Sequence, residues 1–243
     1  MKSIIICEGP TDSVLMQYYM RTVNGWNEGQ ESKNKPKEFE KSWSRDFQKN
    51  GNTLRIICAG GCSRMPLLLS KILDNNCLAA AESEVYSKIV YLTDNDEEQT
   101  KEDVFSSLKE TCNTVTDFAN NAWSSIKFEN DRINEVEVKL LPLVIPFSEQ
   151  GAIETFLLEA IRDGDEYDAS VINRGNKLVD DIASDSDKKY LKHRRDITKA
   201  KFNVFFSIAA PAEQFTQRQD ILKNINWEQY ETIRKCFAEL RKL

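Results

Sequence analysis

Three acidic residues stand at the ends of two apolar segments, and their type and spacing suit the binding of a divalent cation. Glu8 follows the apolar residues 4–7, and Asp94 and Asp96 follow the apolar residues 89–92. Carboxylates held close together repel one another unless a cation or a proton satisfies them. Their hard oxygen atoms favour Mg²⁺ or Mn²⁺, which can bridge phosphate oxygens and activate water. The acids therefore predict a Mg²⁺ (or Mn²⁺) site for phosphoester chemistry.

The two apolar segments must be neighbouring strands if these acids are to meet. An unbroken apolar run of this length is typical of a strand buried on both faces, as in a parallel sheet. The acids would then lie at the carboxyl edge, where open α/β sheets hold their ligands. Alternate residues of an extended segment share a side, so Asp94 and Asp96 are expected to reach the same ion.

The first part of the chain predicts an α/β domain over residues 1–146 with a Rossmann-like, mainly parallel sheet. Helix signals begin at Thr11, which is an acceptable N-cap, and Asp12 is interpreted as an acid of the first helical turn. Strands are predicted at residues 54–58, 125–128 and 135–145, a helix at 64–75 and a mainly helical stretch at 97–122. Residues 25–52, approximately, are predicted to be an insertion with a short helix near 39–47.

The second part, residues 147–243, predicts a helical C-terminal portion packed on the first. Its expected helices span residues 153–161, 168–183, 188–209 and 227–243. Glu154, near the start of the first, is either an extra metal ligand or an acid that compensates the helix dipole.

A dense basic run covers residues 188–195 and continues to Lys199 and Lys201. A solvated helix face explains such a run in most proteins. Beside an acidic metal site it also suits a phosphodiester backbone, whose charge lysine and arginine neutralise. Lys199 and Lys201 are candidate catalytic residues that would stabilise a pentacovalent phosphate.

The composition of the chain limits which partners, cofactors and locations are expected. The 33 basic and 39 acidic residues give a net charge of −6, which neither indicates nor excludes a nucleic-acid partner. The six cysteines, several of them in apparent core segments, predict reduced thiols and a cytoplasmic protein, with no secretory signal and no membrane-spanning run. His193 is the single histidine, which disfavours a histidine-based zinc site. No Gly-x-x-x-x-Gly-Lys loop is present, so no nucleotide cofactor is expected.

The motifs at the strand ends resemble those of the Toprim domain. The resemblance rests on residues 4–12, which include Glu8-Gly9, on Ala59-Gly60-Gly61, and on residues 89–96 with their Asp-x-Asp. Toprim domains occur in type IA and II topoisomerases, bacterial primases, recombination-mediator proteins and overcoming-lysogenisation-defect nucleases. The long segment after the first helix departs from the usual Toprim spacing.

The resemblance implies a role for each matched acid. Glu8 takes the place of the Toprim general acid or base, and Asp94 and Asp96 take that of the Mg²⁺-binding pair. The remainder is similar to small stand-alone bacterial Toprim-like proteins, mostly uncharacterised, through Gly151-x-x-Glu154 and the lysines at 199 and 201.

Three functions remain open at this point. The first is a Mg²⁺-dependent, nuclease-like enzyme that cleaves phosphodiesters in DNA or RNA, in defence or repair. The second is a non-catalytic binding or regulatory module in a complex with a protein partner. The third is a phosphoacceptor or phosphatase with Asp94 as nucleophile; it ranks last, because such domains place their acids after the first strand and here the pair follows the third.

Overall fold

A computed structural model of the chain describes residues 1–29, 43–96, 100–130, 132–147, 149–211 and 218–243, without the side chains of 218–220. These residues form a seven-stranded sheet in the order β2-β3-β4-β1-β5-β7-β6. The strands are β1 (Lys2–Cys7), β2 (Asn27–Glu28), β3 (Ser44–Lys49), β4 (Asn52–Cys58), β5 (Tyr86–Asp94), β6 (Ser124–Asn130) and β7 (Asn134–Ile145).

The sheet is mixed, and its centre is parallel. Strand β1 pairs in parallel with β4 and β5, and β5 pairs in parallel with β7. The outer strands β2, β3 and β6 pair antiparallel. The expected mainly parallel sheet is therefore found in its central four strands, and both sides of it are extended by antiparallel pairing.

Strand β1 shows why this centre is buried on both faces. Ile5 and Cys7 pack into one apolar cluster, and Ile4 and Ile6 pack into the other. All four are fully buried, as alternation across a strand covered on both sides requires.

Helices cover both faces, so the described chain is a three-layer α/β structure. The helices are α1 (Pro10–Thr22), α2 (Met65–Cys77), α3 (Lys101–Thr111), α4 (Ile153–Gly164), α5 (Glu166–Ser184), α6 (Arg194–Ala209), α7 (Arg218–Lys223) and α8 (Glu231–Cys236). Helices α2 and α3 bury Leu69 and Val104 against one face. The helices α1, α4, α5 and α6 pack on the other.

The C-terminal helices share a core with the sheet. Phe156 of α4 and Phe202 of α6 belong to the same apolar cluster as Ile5 of β1 and Leu15 of α1. The division at residue 146 stays a prediction, and apolar packing is continuous across it. None of the helices within the described part of the chain is both long and apolar enough to cross a membrane.

The predicted insertion contains sheet where a helix was expected. Its residues 30–42 lie outside the described residues, but Ser44–Lys49 is a strand and not part of a helix. Phe47 is fully buried, and Asn50 and Gly51 have φ of 50° and 77°. Two positive φ values at an Asn-Gly pair are typical of a type I′ hairpin turn, which joins β3 to β4.

Three predicted helices are shorter than expected. The stretch 97–122 is helical in Lys101–Thr111, and its residues 97–99 lie outside the described residues. The helix predicted over 188–209 begins at Arg194, because Leu191 has φ of 55°, which a right-handed helix does not accommodate. The last helix, expected over 227–243, is broken into 3-10 turns on either side of Glu231–Cys236.

Candidate metal centre at the carboxyl edge of the sheet

Glu8 and Asp94 meet where β1 and β5 end side by side. In the parallel pairing Cys7 lies opposite Leu92, so the residues that follow each strand leave the sheet together. One carboxylate oxygen of Glu8 (Oε2) accepts the hydroxyl of Thr93 at 2.8 Å and the backbone N–H of Asp94 at 3.3 Å. The structure thus brings together the two acids from strands remote in sequence.

The backbone of Glu8 is also fixed from the β4 side. Its carbonyl oxygen accepts the N–H groups of Gly60 and Gly61, each at 3.0 Å. These glycines have φ of 82° and 130°, which side-chain-bearing residues adopt only with strain. The Gly-Gly turn therefore positions Glu8.

Asp94 joins the strand end to the start of helix α4. Its Oδ1 accepts the N–H of Ile153, the first residue of α4, at 2.9 Å. An acid at a helix N-terminus is favoured by the helix dipole and satisfies an unpaired N–H group. Asp94 therefore has a structural role as a helix-terminal acceptor in addition to any ligand role.

Asn95, between the two acids of the Asp-x-Asp motif, holds the following loop in place. It forms an isolated β-bridge with Gly151, and its side-chain amide donates to the carbonyls of Pro146 at 3.1 Å and Glu149 at 2.9 Å. Because the chain leaves the sheet at this bridge, Asp96 lies beyond the strand and is partly exposed. Asp94 and Asp96 therefore have different surroundings, and the expectation that both reach the same ion stays a prediction.

Glu154 reaches the same region from helix α4. It is 5% exposed, and its Oε1 accepts the hydroxyl of Thr11 at 3.4 Å. Thr11 lies in the first turn of α1, so the N-terminal turns of α1 and α4 face each other beside Glu8 and Asp94. Glu154 thus lies where an extra ligand was predicted.

Asp12 lies beside Glu8, Asp94 and Glu154, although the sequence interpretation favoured a role as an acid of the first helical turn over a ligand role. Helix α1 begins at Pro10 with Gly9 as N-cap, two residues before the predicted cap, Thr11. Asp12 does accept the Gly9 N–H at 2.6 Å, yet it is 3% exposed and lies among the other acids. Its place four residues after Glu8 was the available signal, because the first helical turn points back at the strand end.

Burial and mutual repulsion disfavour the charged forms of these acids. Burial, together with the charges of Glu8 and Glu154, raises the pKa of Asp12 to about 8, although the hydrogen bond from the Gly9 N–H acts to lower it. The pKa of Asp94 is also held well above its ordinary value. Burial is the largest cause, and the negative charges of Asp12, Glu8 and Glu154 act in the same direction. We call these four residues, Glu8, Asp12, Asp94 and Glu154, the carboxylate cluster.

The chemistry of the carboxylate cluster fits a hard divalent cation. Its donors are all carboxylate oxygens, and their repulsion falls when a positive charge lies between them. Within the described ranges, no three histidine, cysteine, aspartate or glutamate side chains already form a metal-binding group. Ion binding would therefore require some of these side chains to turn from their present hydrogen bonds.

The two predicted catalytic lysines lie on helix α6. Lys201 forms an ion pair with Asp180 of α5 at 2.8 Å and lines a cavity between α4, α5 and α6. Lys199 is partly buried on the same helix. Lys188, Lys189 and Lys192 precede α6 in an irregular segment. The other basic residues of the predicted run are helical: Arg194, Arg195, Lys199 and Lys201.

Comparison with known proteins supports the fold and leaves the function open. No family model matches this chain, and no curated protein matches it. The chain is similar to a solved structure described as hypothetical protein PH0156 from Pyrococcus horikoshii OT3, with a TM-score of 0.53 and 17% sequence identity. That similarity covers 98% of this chain and 99% of the other, so it extends over both the sheet and the C-terminal helices.

Proposed function

We propose that this chain is a Mg²⁺- (or Mn²⁺-) dependent, nuclease-like protein of the Toprim type that cleaves phosphodiester bonds in DNA or RNA. The observation that carries the proposal is the hydrogen bonding of Glu8 to Thr93 and Asp94 inside a buried carboxylate cluster. Like charges gathered at the carboxyl edge of parallel strands are unfavourable without a cation, and such perturbed groups concentrate at functional sites.

Within the carboxylate cluster, three acids would bind the cation and the fourth, Glu8, would take part in proton transfer. Asp94, Glu154 and Asp12 are fixed by backbone or hydroxyl donors and would hold the cation, with Asp96 available at the exposed side. When bound, the cation would supply charge stabilisation at the phosphate oxygens. Glu8, held by the Thr93 hydroxyl, would transfer a proton to or from the reacting oxygen.

Two further features support this function. The order of the motifs along the chain resembles the Toprim pattern, and the parallel pairing of β4, β1 and β5 gives the matched residues a common edge. Lys199 and Lys201 would contribute phosphate contacts from α6, in a reaction proposed to serve defence or repair.

The test is an incubation of labelled single- and double-stranded DNA and RNA with the protein in Mg²⁺ or Mn²⁺. The Glu8→Gln variant keeps the size and the hydrogen-bonding capacity of the side chain but cannot exchange a proton. It should cleave roughly 10²–10⁴-fold more slowly, the usual contribution of general acid–base catalysis. The control is Glu102→Gln, which changes an exposed acid of α3.

The results separate the proposal from its alternative. Cleavage that survives Glu8→Gln unchanged, or no cleavage of any substrate, would overturn the nuclease proposal. A stoichiometric protein partner that co-purifies with an inactive chain would favour the non-catalytic module in its place.

A further inference from the structure

A cavity of about 250 Å³ lies between helices α4, α5 and α6, apart from the carboxylate cluster. Three basic side chains and one acidic side chain line it: Arg162 and Glu159 from α4, and Arg194 and Lys201 from α6, so the basic groups outnumber the acid. Thr198 and Gln150 add neutral polar groups. Cations that converge on one cavity from two helices suit an anionic ligand more than an apolar one.

Asn176 of α5 gives the cavity an unsatisfied hydrogen-bonding group. It lines the cavity, and its Oδ1 is shielded from solvent without a hydrogen-bond partner. Buried polar atoms are nearly always paired, so an unpaired one at a cavity wall points to a missing partner. A hydroxyl of a ligand would satisfy it.

The present ion pairs of Arg162 and Lys201 are of the kind that a ligand can replace. Arg162 lies 3.6 Å from Asp163, and both side chains are substantially exposed. Lys201, whose side chain is 27% exposed, pairs with Asp180, whose side chain is 55% exposed. Exposed ion pairs contribute little, whereas a guanidinium binds a phosphate through two parallel, charge-assisted hydrogen bonds.

Some residues that line the cavity are adjacent in sequence to residues of the carboxylate cluster or its surroundings. Gln150 precedes Gly151, which forms the bridge with Asn95, and Thr155, another lining residue, follows Glu154. The start of α4 therefore contributes to both sites.

We propose that this cavity binds a phosphate monoester that also carries a hydroxyl group. The phosphate lies against Arg162, Arg194 and Lys201, and the hydroxyl donates to Asn176. Two sources share this chemistry, the phosphorylated end of a nucleic-acid strand and a free mononucleotide. The site shares Lys201 with the proposed cleavage, but its other residues are not used there, and ligand binding at this cavity needs neither the cation nor the carboxylate cluster.

The experiment measures binding in EDTA, so that loss of cleavage cannot affect it. The probes are one fluorescent oligonucleotide with a 5′-phosphate, one with a 3′-phosphate and one with hydroxyls at both ends, with AMP as competitor. We expect a phosphorylated strand or AMP to bind roughly tenfold more tightly than the matching hydroxyl form or adenosine, as one charge-assisted contact provides. Arg162→Gln should remove this preference.

Arg174→Gln is the matched control, because it deletes an exposed arginine of α5 that is not among the cavity-lining residues. Arg162→Lys keeps the charge without the paired N–H groups and should give an intermediate preference, which also serves if Arg162→Gln fails to fold. If AMP competes, the ligand is a free mononucleotide. If a phosphorylated strand binds and AMP does not displace it, the ligand is the phosphorylated end of a strand. Equal binding of phosphate and hydroxyl forms, or an Arg162→Lys variant with the full preference, would overturn the site.

Discussion

Two aspartates occupy the same position in two helices and have opposite electrostatic surroundings. Asp12 in α1 and Asp103 in α3 are each the third helical residue, and each accepts the N–H of its N-cap residue, Gly9 or Thr100. Burial and nearby acids raise the pKa of Asp12 to about 8, whereas hydrogen bonds from Thr100 lower the pKa of Asp103.

This difference shows that position in a helix-capping motif does not determine the pKa of an acidic side chain or its role. Asp103 is exposed, and its charge is favoured where it stands. Asp12 caps its helix equally well, but its charge is opposed by burial and by Glu8 and Glu154. A fold that keeps such a group retains a local cost in stability, which is typical of functional sites.

The largest expected effect comes from Asp94. Asp94→Asn should reduce cleavage by roughly 10²-fold or more, since a metal ligand contributes several kcal/mol to transition-state stabilisation. The amide oxygen can still accept the Ile153 N–H, so the fold should persist. Asp103→Asn, measured in the same cleavage assay, should leave the rate unchanged. Equal losses in both variants would remove the distinction between the two regions.

Added Mg²⁺ should stabilise the wild-type protein at about pH 8. Binding to the folded state alone raises the free energy of unfolding by about 2.7 kcal/mol at a hundredfold excess over Kd. The gain should vanish in Asp94→Asn and persist in Asp103→Asn. Urea unfolding with and without Mg²⁺ measures it, and an equal gain in Asp94→Asn would place the ion elsewhere.

Asp12 and Asp103 should contribute to pH dependence with opposite signs. The pKa of Asp12 rises from 3.8 to about 8 on folding. The folded state therefore binds more protons between these values, and stability falls as pH rises through them. Asp12→Asn should remove up to about 1.4 kcal/mol per pH unit of this slope in EDTA.

For Asp103, whose pKa is lowered, the stabilisation is present above its ordinary pKa and is lost as the pH falls. Asp103→Asn should therefore weaken the fold near neutral pH and lose its effect in acid. Unfolding curves in EDTA from about pH 3 to pH 8 test both variants. A wild-type stability that rises steadily up to pH 8, unaltered by Asp12→Asn, would contradict the raised pKa.

The smallest effect is expected from the hydroxyl of Thr93. Thr93→Val keeps the shape of a side chain that is 1% exposed but removes its hydrogen bond to Glu8. A bond of this kind contributes about 1 kcal/mol, so kcat should fall roughly fivefold with KM little changed. An unchanged kcat would show that this bond does not position Glu8 for the reaction.

The sequence was sufficient for the centre of the fold and for its carboxyl edge. Unbroken apolar runs at residues 4–7 and 89–92 predicted buried neighbouring strands, and β1 and β5 are paired in parallel. Glu8 and Asp94 accordingly lie together. These inferences succeeded because a strand buried on both faces has a strong apolar pattern and a defined end.

The rest depended on tertiary contacts that a single sequence does not display. Asp12 was interpreted as an acid of the first helical turn, because the sequence does not show that folding brings Glu8 and Glu154 close to it. The strand Ser44–Lys49 has few apolar residues and is stabilised by pairing with β4 and by burial of Phe47. The ion pair of Lys201 with Asp180 across the α5–α6 contact was likewise not visible in the sequence, and the catalytic role of Lys201 stays a prediction.

The most direct test of the central claim is the anomalous scattering of Mn²⁺ in crystals of the protein grown with a saturating concentration of the ion. We predict an anomalous peak for a Mn²⁺ ion bound by Asp94 and by at least one more member of the carboxylate cluster. The peak should be absent in crystals of Asp94→Asn. A wild-type crystal that contains Mn²⁺ elsewhere but none within reach of Glu8, Asp12, Asp94 or Glu154 would contradict the account.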